Sequence, residues 1–500
     1  MIGSAPGVTI VSRNLTYLVE AVGDARLHGP ASDVRITDLA YDSRRVEAGS
    51  LFFCVPGART DGHDHALDAV AAGAAALVVE RVLDVPVPQV VVPSTRRAMG
   101  PIAAAFHEHP SRAMTLIGVT GTNGKTTSTF MLDSVIRSLG WTAGLVGPVE
   151  TRIGDVVEPV TRTTPESIDL QDLFARMRDV GVRAAAMEVS SHGLAWHRVD
   201  GTSFACGVFT NLTQDHLDDH GTMEAYFEAK AMLFERAFTD RAVVNADDAY
   251  GRALLARIDL PEVLTFGIDE PADVSARIDA MDARSSRILA DVRGERVPVT
   301  VPLPARYNVS NALGVLGVAS LLGWPLDAVA DGIARMTGVP GRLERIEAGQ
   351  DFTVVVDYAH TADALDNVLR AAREITPEDA RLVCVFGCGG DRDRGKRPLM
   401  GRAAVAVADH VIITSDNPRS EDPRAIIAEI EGGARDGGAP YDVEPDRRAA
   451  IARAIDAARP GDVIVIAGKG HETGQQFADQ VIPFDDRTVV REALEARRRG

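Results

Sequence analysis

The octapeptide Thr120-Gly121-Thr122-Asn123-Gly124-Lys125-Thr126-Thr127 stands between an apolar run at 116–119 and a helical pattern that reaches residue 139. A glycine-rich turn from strand to helix aims backbone N–H groups and the positive helix end at a phosphate. Lys125 is then in reach of the β- and γ-phosphates of a nucleotide, and the Thr126 hydroxyl can bind Mg²⁺. The spacing is not the general phosphate-loop pattern, because the residue five before Gly124 is Val119. A turn that binds nothing is the alternative, and the strand–loop–helix context weighs against it.

Other chemistry-bearing residues fall at the ends of apolar runs. Glu188 closes the run at 184–187, and a carboxylate beside phosphates suits Mg²⁺, which prefers oxygen ligands. The next run opens into Thr210-Asn211-Leu212-Thr213-Gln214-Asp215-His216-Leu217-Asp218. Lys230 alone reads as a solvated helix lysine. Asn308 and Asn311, three apart, share a helix face and either cap the helix or touch a nucleotide. Asp357 and His360, at the end of the run 353–356, can contact ribose or adenine. The stretch 387–397, which contains Arg392, is a solvated loop or a basic loop facing phosphates and carboxylates. Paired hydroxyls at Thr163 and Thr164, with Ser190 and Arg198, suit phosphate and carboxylate groups.

These residues need a scaffold that gathers strand ends. Apolar runs at 115–119, 184–187, 207–209, 242–244, 353–356, 382–386, 411–413 and 463–466 alternate with helical patterns, which is the signature of an α/β fold with parallel sheets. In such sheets ligands bind at the carboxyl ends of strands. At about 150 residues per domain, 500 residues suggest three domains. The polar, proline-containing segment 107–113 reads as a linker, and Gly-Val-Pro-Gly at 338–341 as a hinge. The divisions expected are 1–112, 113–340 and 341–500.

Composition narrows the function. The 53 Lys+Arg stand against 71 Asp+Glu, a net charge of −18, so the overall field repels nucleic acids and anionic membranes. No stretch approaches the ~18 consecutive apolar residues of a membrane span. Residues 1–20 lack a basic start followed by a long apolar run, so a cytoplasmic location is expected. Cys54, Cys206, Cys384 and Cys388 cannot build a disulfide framework. Cys384 and Cys388 lack a second pair to complete a zinc site, and all four are expected to be unreactive thiols.

The Gly121–Thr127 segment resembles the ATP loop of the Mur ligases, the amide-forming enzymes of peptidoglycan precursor synthesis, and is similar to that of folylpolyglutamate synthetases. The resemblance runs through all three expected domains. It implies a central P-loop-type ATPase domain with a mainly parallel sheet, a Rossmann-like C-terminal domain, and ATP and Mg²⁺ as cofactors. It further implies that Gly121 to Thr127, Asn308, Arg342, Asp357 and His360 bind ATP, and that Thr126, Glu188 and His216 hold Mg²⁺. Lys125, Glu188, His216 and Lys230 would be catalytic, with Lys230 carbamylated to N6-carboxylysine. Tyr41 and Ser43, in the Asp42-Ser43-Arg44 region, together with Thr163, Thr164, Ser190 and Arg198, would hold the UDP-N-acetylmuramoyl dipeptide. Trp196 stands where the family has glutamine.

Asp416-Asn417-Pro418-Arg419 resembles the signature of members that add meso-diaminopimelate. That substrate carries a second zwitterionic centre, whose carboxylate Arg419 can clamp bidentately while Asp416 or Glu472 binds its ammonium. Arg392, Asn417, Pro418 and Gly468 complete the implied site. The expectation is an ATP-dependent ligase that acts through an acyl phosphate, as a monomer with small-molecule partners. An L-lysine-adding member, a folylpolyglutamate synthetase and a nucleotide-switch protein are the rivals. The last needs no amine site.

Overall fold

The computed structural model describes residues 11–57, 60–160, 162–435 and 437–499. Part of the 1–20 stretch read above for a leader lies outside them.

Three sheets organise the chain. The first runs Arg26–His28, Gln89–Val91, Ala76–Val79, Ser50–Phe53, Asp38–Ala40, parallel except for its first strand. The second has 11 strands among the described residues. Its parallel centre is Ala143–Val146, Ala184–Glu188, Thr115–Thr120, Cys206–Phe209, Arg241–Asn245, Glu262–Gly267 and Val274–Met281. Antiparallel strands extend both edges. The third runs Glu344–Arg345, Thr353–Asp357, Val463–Ala467, Leu382–Phe386, His410–Ile413, Tyr441–Val443, parallel after its first strand.

Strand Thr115–Thr120 explains why the central runs are continuously apolar. Its side chains alternate faces, and both faces are covered. Ile117 and Val119 pack with Met131 and Val135 of the helix Lys125–Ser138 and Leu313 of the helix Arg306–Leu322. Leu116 packs on the other face with Leu173 and Phe174 of the helix Ser167–Asp179. Burying each such side chain stabilises the fold by about 1.5–3 kcal/mol. The third sheet repeats the plan, with Val355 and Cys384 on one face and Val354 and Val383 on the other.

All eight apolar runs are strands. The sequence reading gave no strands to 274–301, where Val274–Met281, Ser286–Val292 and Glu295–Val301 form a meander. Their alternating burial, as in Ser286–Val292, is that of a half-solvated antiparallel sheet rather than a buried parallel one.

The segment read as a linker at 107–113 is a packed turn. Pro110 and Ser111 are buried, and Ser111 Oγ accepts from Ser203 N at 3.1 Å. At 338–341 the chain turns through Gly338 (φ +104°) and Gly341 (φ +67°). A Cβ on Gly341 would overlap Gly470 and His471, so only glycine lets the connector lie on that loop. All four cysteines are buried and free.

Candidate active site at the facing strand ends

The phosphate loop is fixed by its neighbours. Asn211 receives the Thr122 N–H on its carbonyl and the Asn123 N–H on Oδ1, each at 2.9 Å. Gly124 caps the helix at φ +87°, and a Cβ there would overlap Asn311 Oδ1. Asn311 therefore abuts the loop, whereas Asn308 braces the helix start by donating to Pro304 O at 2.7 Å. Lys125 Nζ donates to Gly121 O and Thr122 O at 2.8 and 2.7 Å. Burial lowers its pKa against the pull of Glu188 and Asp215.

Glu188 is 1% exposed, and its Oε1 has no hydrogen-bond partner among the described residues. Burial raises its pKa, opposed by Lys125, Arg342 and the Thr126 hydroxyl. An orphaned carboxylate oxygen beside a threonine hydroxyl fits a hard divalent cation. His216 sits in the left-handed region (φ 53°) with Nε2 at 3.3 Å from Asp215 Oδ2. Burial holds it down to about 4, so its ring is neutral, the form that ligates metals. Ligand atoms of His192, His216 and Asp219 lie within 4.8 Å of one another. His192 and Asp219 were not singled out from sequence, because their convergence joins two short helices distant in the chain, Ser191–Ala195 and Leu217–His220. Lys230, read alone as solvated, is instead buried at 1% exposure. Its Nζ donates to Gly121 O at 2.7 Å and lies 4.6 Å over the Tyr226 ring. Burial, then the charge of Lys125, lowers its pKa far below that of an ordinary lysine.

The third sheet presents its strand ends across from this loop. Arg342 lies over the Tyr358 ring at 4.4 Å and donates to Thr126 Oγ1 at 3.2 Å. His360 Nε2 is 3.8 Å from Asp215 Oδ2, and Asn123 Nδ2 donates to Asp363 Oδ2 at 3.2 Å. Asp363 was not singled out from sequence. Asp357 accepts from Leu343 N and Ala359 N, each at 2.7 Å, so its carboxylate also braces the connector.

Asp416 to Arg419 follows the strand His410–Ile413, close to the loop after Val463–Ala467. Asn417 Nδ2 donates to Glu472 Oε2 at 2.8 Å. A Cβ on Gly468 would sit 2.5 Å from Asp416 Oδ2. Arg419, at φ 51°, donates through Nη1 to Gly390 O at 2.6 Å and through Nε to Gln476 Oε1 at 3.2 Å. Its guanidinium is thus partly engaged in holding the turn, with donors left over. Arg392 is close by, its Nη1 3.4 Å from Asp391 O. Lys469, buried between Asn417 and Glu472, was not recognised from sequence.

Thr164 and Ser190 stand at the C-terminal end of the strand Ala184–Glu188, with Thr164 Oγ1 donating to Glu188 O at 3.2 Å. Thr164 and Ser190 hydroxyls lie 3.1 Å apart, and Ser190 caps the helix Ser191–Ala195. Arg198 donates to Glu166 Oε1 at 3.0 Å, and Arg162 and Arg96 also pair with Glu166, at 2.6 and 3.2 Å. Three guanidiniums on one carboxylate leave excess positive charge, a cluster the sequence reading saw only through Arg198. Thr163 is half-buried beside them. Trp196 is half-exposed, with Arg198 4.8 Å over its ring. Tyr41 donates to Asp169 Oδ2 at 2.6 Å, and Ser43 opens a short turn capped by Asp42. Arg44 pairs with Asp42 and holds that carboxylate down to about 2.

Comparisons with known proteins bear on this arrangement. Family models match residues 35–107 (Mur ligase family, catalytic domain), 119–319 (Mur ligase middle domain) and 341–470 (Mur ligase, glutamate ligase domain). The chain is 47% identical over 470 residues to a UDP-N-acetylmuramoyl-L-alanyl-D-glutamate--2,6-diaminopimelate ligase of Geobacillus thermodenitrificans, covering 93% of this chain and 96% of that one. It is 46% identical over 487 residues to the protein of the same name in Solibacter usitatus, covering 96% and 98%. A solved structure of an enzyme with that name superposes with a TM-score of 0.69 at 33% identity, covering 96% of this chain and 99% of that one. With matched segments spanning most of its length and relatives this similar, the chain belongs to the Mur ligase family.

Proposed function

We propose that the chain is an ATP-dependent ligase that joins meso-diaminopimelate to UDP-N-acetylmuramoyl-L-alanyl-D-glutamate in peptidoglycan precursor synthesis. The observation that carries this reading is the position of Asp416-Asn417-Pro418-Arg419 and Glu472 at strand ends of the third sheet, whose segment reaches the phosphate loop through Arg342 and Asp363. The near full-length relatives bearing that name support it. We divide the chain into 1–112 for the UDP substrate, 113–340 for ATP and 341–500 for the amino acid, a reading supported by matched segments at 35–107, 119–319 and 341–470. We place the reaction in the cytoplasm, where its nucleotide substrates are made.

In the reaction, the substrate carboxylate attacks the γ-phosphorus of ATP and ADP leaves. The amine of the amino acid then attacks the acyl phosphate. The tetrahedral intermediate collapses with loss of phosphate and a proton. Phosphoryl transfer depends chiefly on positioning and charge stabilisation. Lys125 and the loop N–H groups would hold the β- and γ-phosphates, and Asp357, His360 and Asn311 would frame the nucleoside. Thr126, Glu188 and His216 would hold Mg²⁺, which when bound neutralises phosphate charge. The Arg96, Arg162 and Arg198 cluster, with Thr164 and Ser190, suits the phosphates or peptide carboxylate of the UDP substrate. Tyr41 and Ser43 lie on the uridine side.

The purified protein is assayed with the UDP-linked dipeptide, ATP and a panel of amino acids, scoring phosphate release and product mass. Phosphate release that requires both the dipeptide and meso-diaminopimelate is expected. Turnover without an acceptor would favour a nucleotide switch, and turnover with L-lysine alone would overturn the acceptor.

A further inference from the structure

Lys469 is completely buried, and its ammonium is held by two groups of the amino-acid wall. Nζ donates to Asn417 Oδ1 and to Glu472 Oε2, each at 2.9 Å. Asn417 Nδ2 donates to the same Glu472 oxygen at 2.8 Å, and Gln476 N closes on Asn417 Oδ1 at 2.9 Å. Both side-chain donors thus fall on Oε2, and Oε1 takes none from the described residues. A buried cation fixed this way orients the carboxylate and offsets its charge.

The charges of this wall come in pairs. Lys469 and Arg419 are cations, and Glu472 and Asp416 are anions. They belong to one lining, because Gln475 Nε2 donates to Asp416 O at 2.8 Å and Arg419 N to Gln476 O at 3.0 Å. The formal charges of these four sum to zero, and Arg392, beside Arg419 at Gly389, adds one positive charge. The distal end of meso-diaminopimelate, one ammonium and one carboxylate, also sums to zero, whereas that of L-lysine carries a full positive charge.

We propose that Lys469 is a positioning residue that presents Glu472 and offsets its charge, so that the site disfavours an acceptor whose distal centre is a bare cation. This rests on reading the wall as the amino-acid site. Removing the lysine charge makes the wall more negative by one unit and leaves Glu472 without its counter-charge, which favours a cationic acceptor over a zwitterionic one. A lysine that merely fastens the 468–472 turn would, when removed, weaken both acceptors alike.

The test measures kcat/KM for meso-diaminopimelate and L-lysine with the full chain and with K469M and K469Q. Glutamine keeps a donor for Asn417 without the charge. The ratio of meso-diaminopimelate to L-lysine use should fall by about tenfold or more in both variants, chiefly through the KM for meso-diaminopimelate. Equal losses for both acceptors would overturn the inference. If neither variant folds but K469M/E472Q melts like the parent, the lysine is a structural counter-ion and the inference also fails. Failure of the underlying acceptor reading is distinguishable, since it shows in the unmutated protein as no preference for meso-diaminopimelate.

Discussion

Lys125 and Lys230 donate to one oxygen, the carbonyl of Gly121, at 2.8 and 2.7 Å. Burial lowers the affinity of both ammonium groups for protons, and the charge of Lys125 lowers that of Lys230 further. One of them is therefore primed to exist as a neutral amine, the form that adds CO₂ to give a carbamate and a proton.

Lys230 should carry that carbamate, which would turn a crowded cation into an anion beside Lys125. Enzyme equilibrated with ¹³C-bicarbonate should show a carbamate carbon resonance absent from Lys230→Ala. Because its pKa is lowered, the neutral amine forms at lower pH than for a free lysine, and carbamate content should rise with pH. Lys230→Ala should lose most activity and regain part of it with small carboxylates. Full activity without them would remove the carbamate from the mechanism.

Gly124 and Lys125 should separate shape from charge in the phosphate loop. Gly124→Ala forces a side chain into the left-handed region, at about 1–2 kcal/mol, and against Asn311, so the melting temperature should drop. Lys125→Met should melt near the parent temperature yet lose about 10²–10³-fold in kcat. A large drop in melting temperature with Lys125→Met would mark the lysine as structural.

Arg419→Ala should damage meso-diaminopimelate use far more than L-lysine use. Losing a charged hydrogen bond costs about 1.5–3 kcal/mol, so the preference should narrow by at least tenfold, up to about a few hundredfold. The bonds from Arg419 to Gly390 O and Gln476 add a common loss for both acceptors. If kcat/KM fell equally for the two, bracing the turn would be its whole role.

Acid should destabilise the fold through His471. Burial, with Arg342 and Arg487 nearby, holds it down to about 3. The native state thus resists a proton that the unfolded chain accepts near pH 6.5. Its stability contribution is complete above about pH 6.5 and is lost progressively as pH falls toward 3; His216, held down to about 4, acts with the same sign. Urea midpoints should decline from pH 7.5 to pH 5, and less steeply in His471→Gln. Parallel profiles for the two proteins would exclude His471 as a source.

The parallel α/β plan was legible in the sequence because a strand buried on both faces is mostly apolar, as in the runs at 115–119 and 463–466. The phosphate loop was legible because its glycines, lysine and threonine are contiguous. Contacts between distant segments were not. Whether Lys230 is solvated or buried depends on Gly121, 109 positions away. Likewise, the approach of Asn311 to the phosphate loop depends on how the helix Arg306–Leu322 meets Gly124. The gathering of Arg96 and Arg162 around Glu166 with Arg198, and of Lys469 between Asn417 and Glu472, follows from which strand ends become neighbours. Local pattern specifies each element, but a charge's environment is set by what the fold packs against it, and only the tertiary structure decides that.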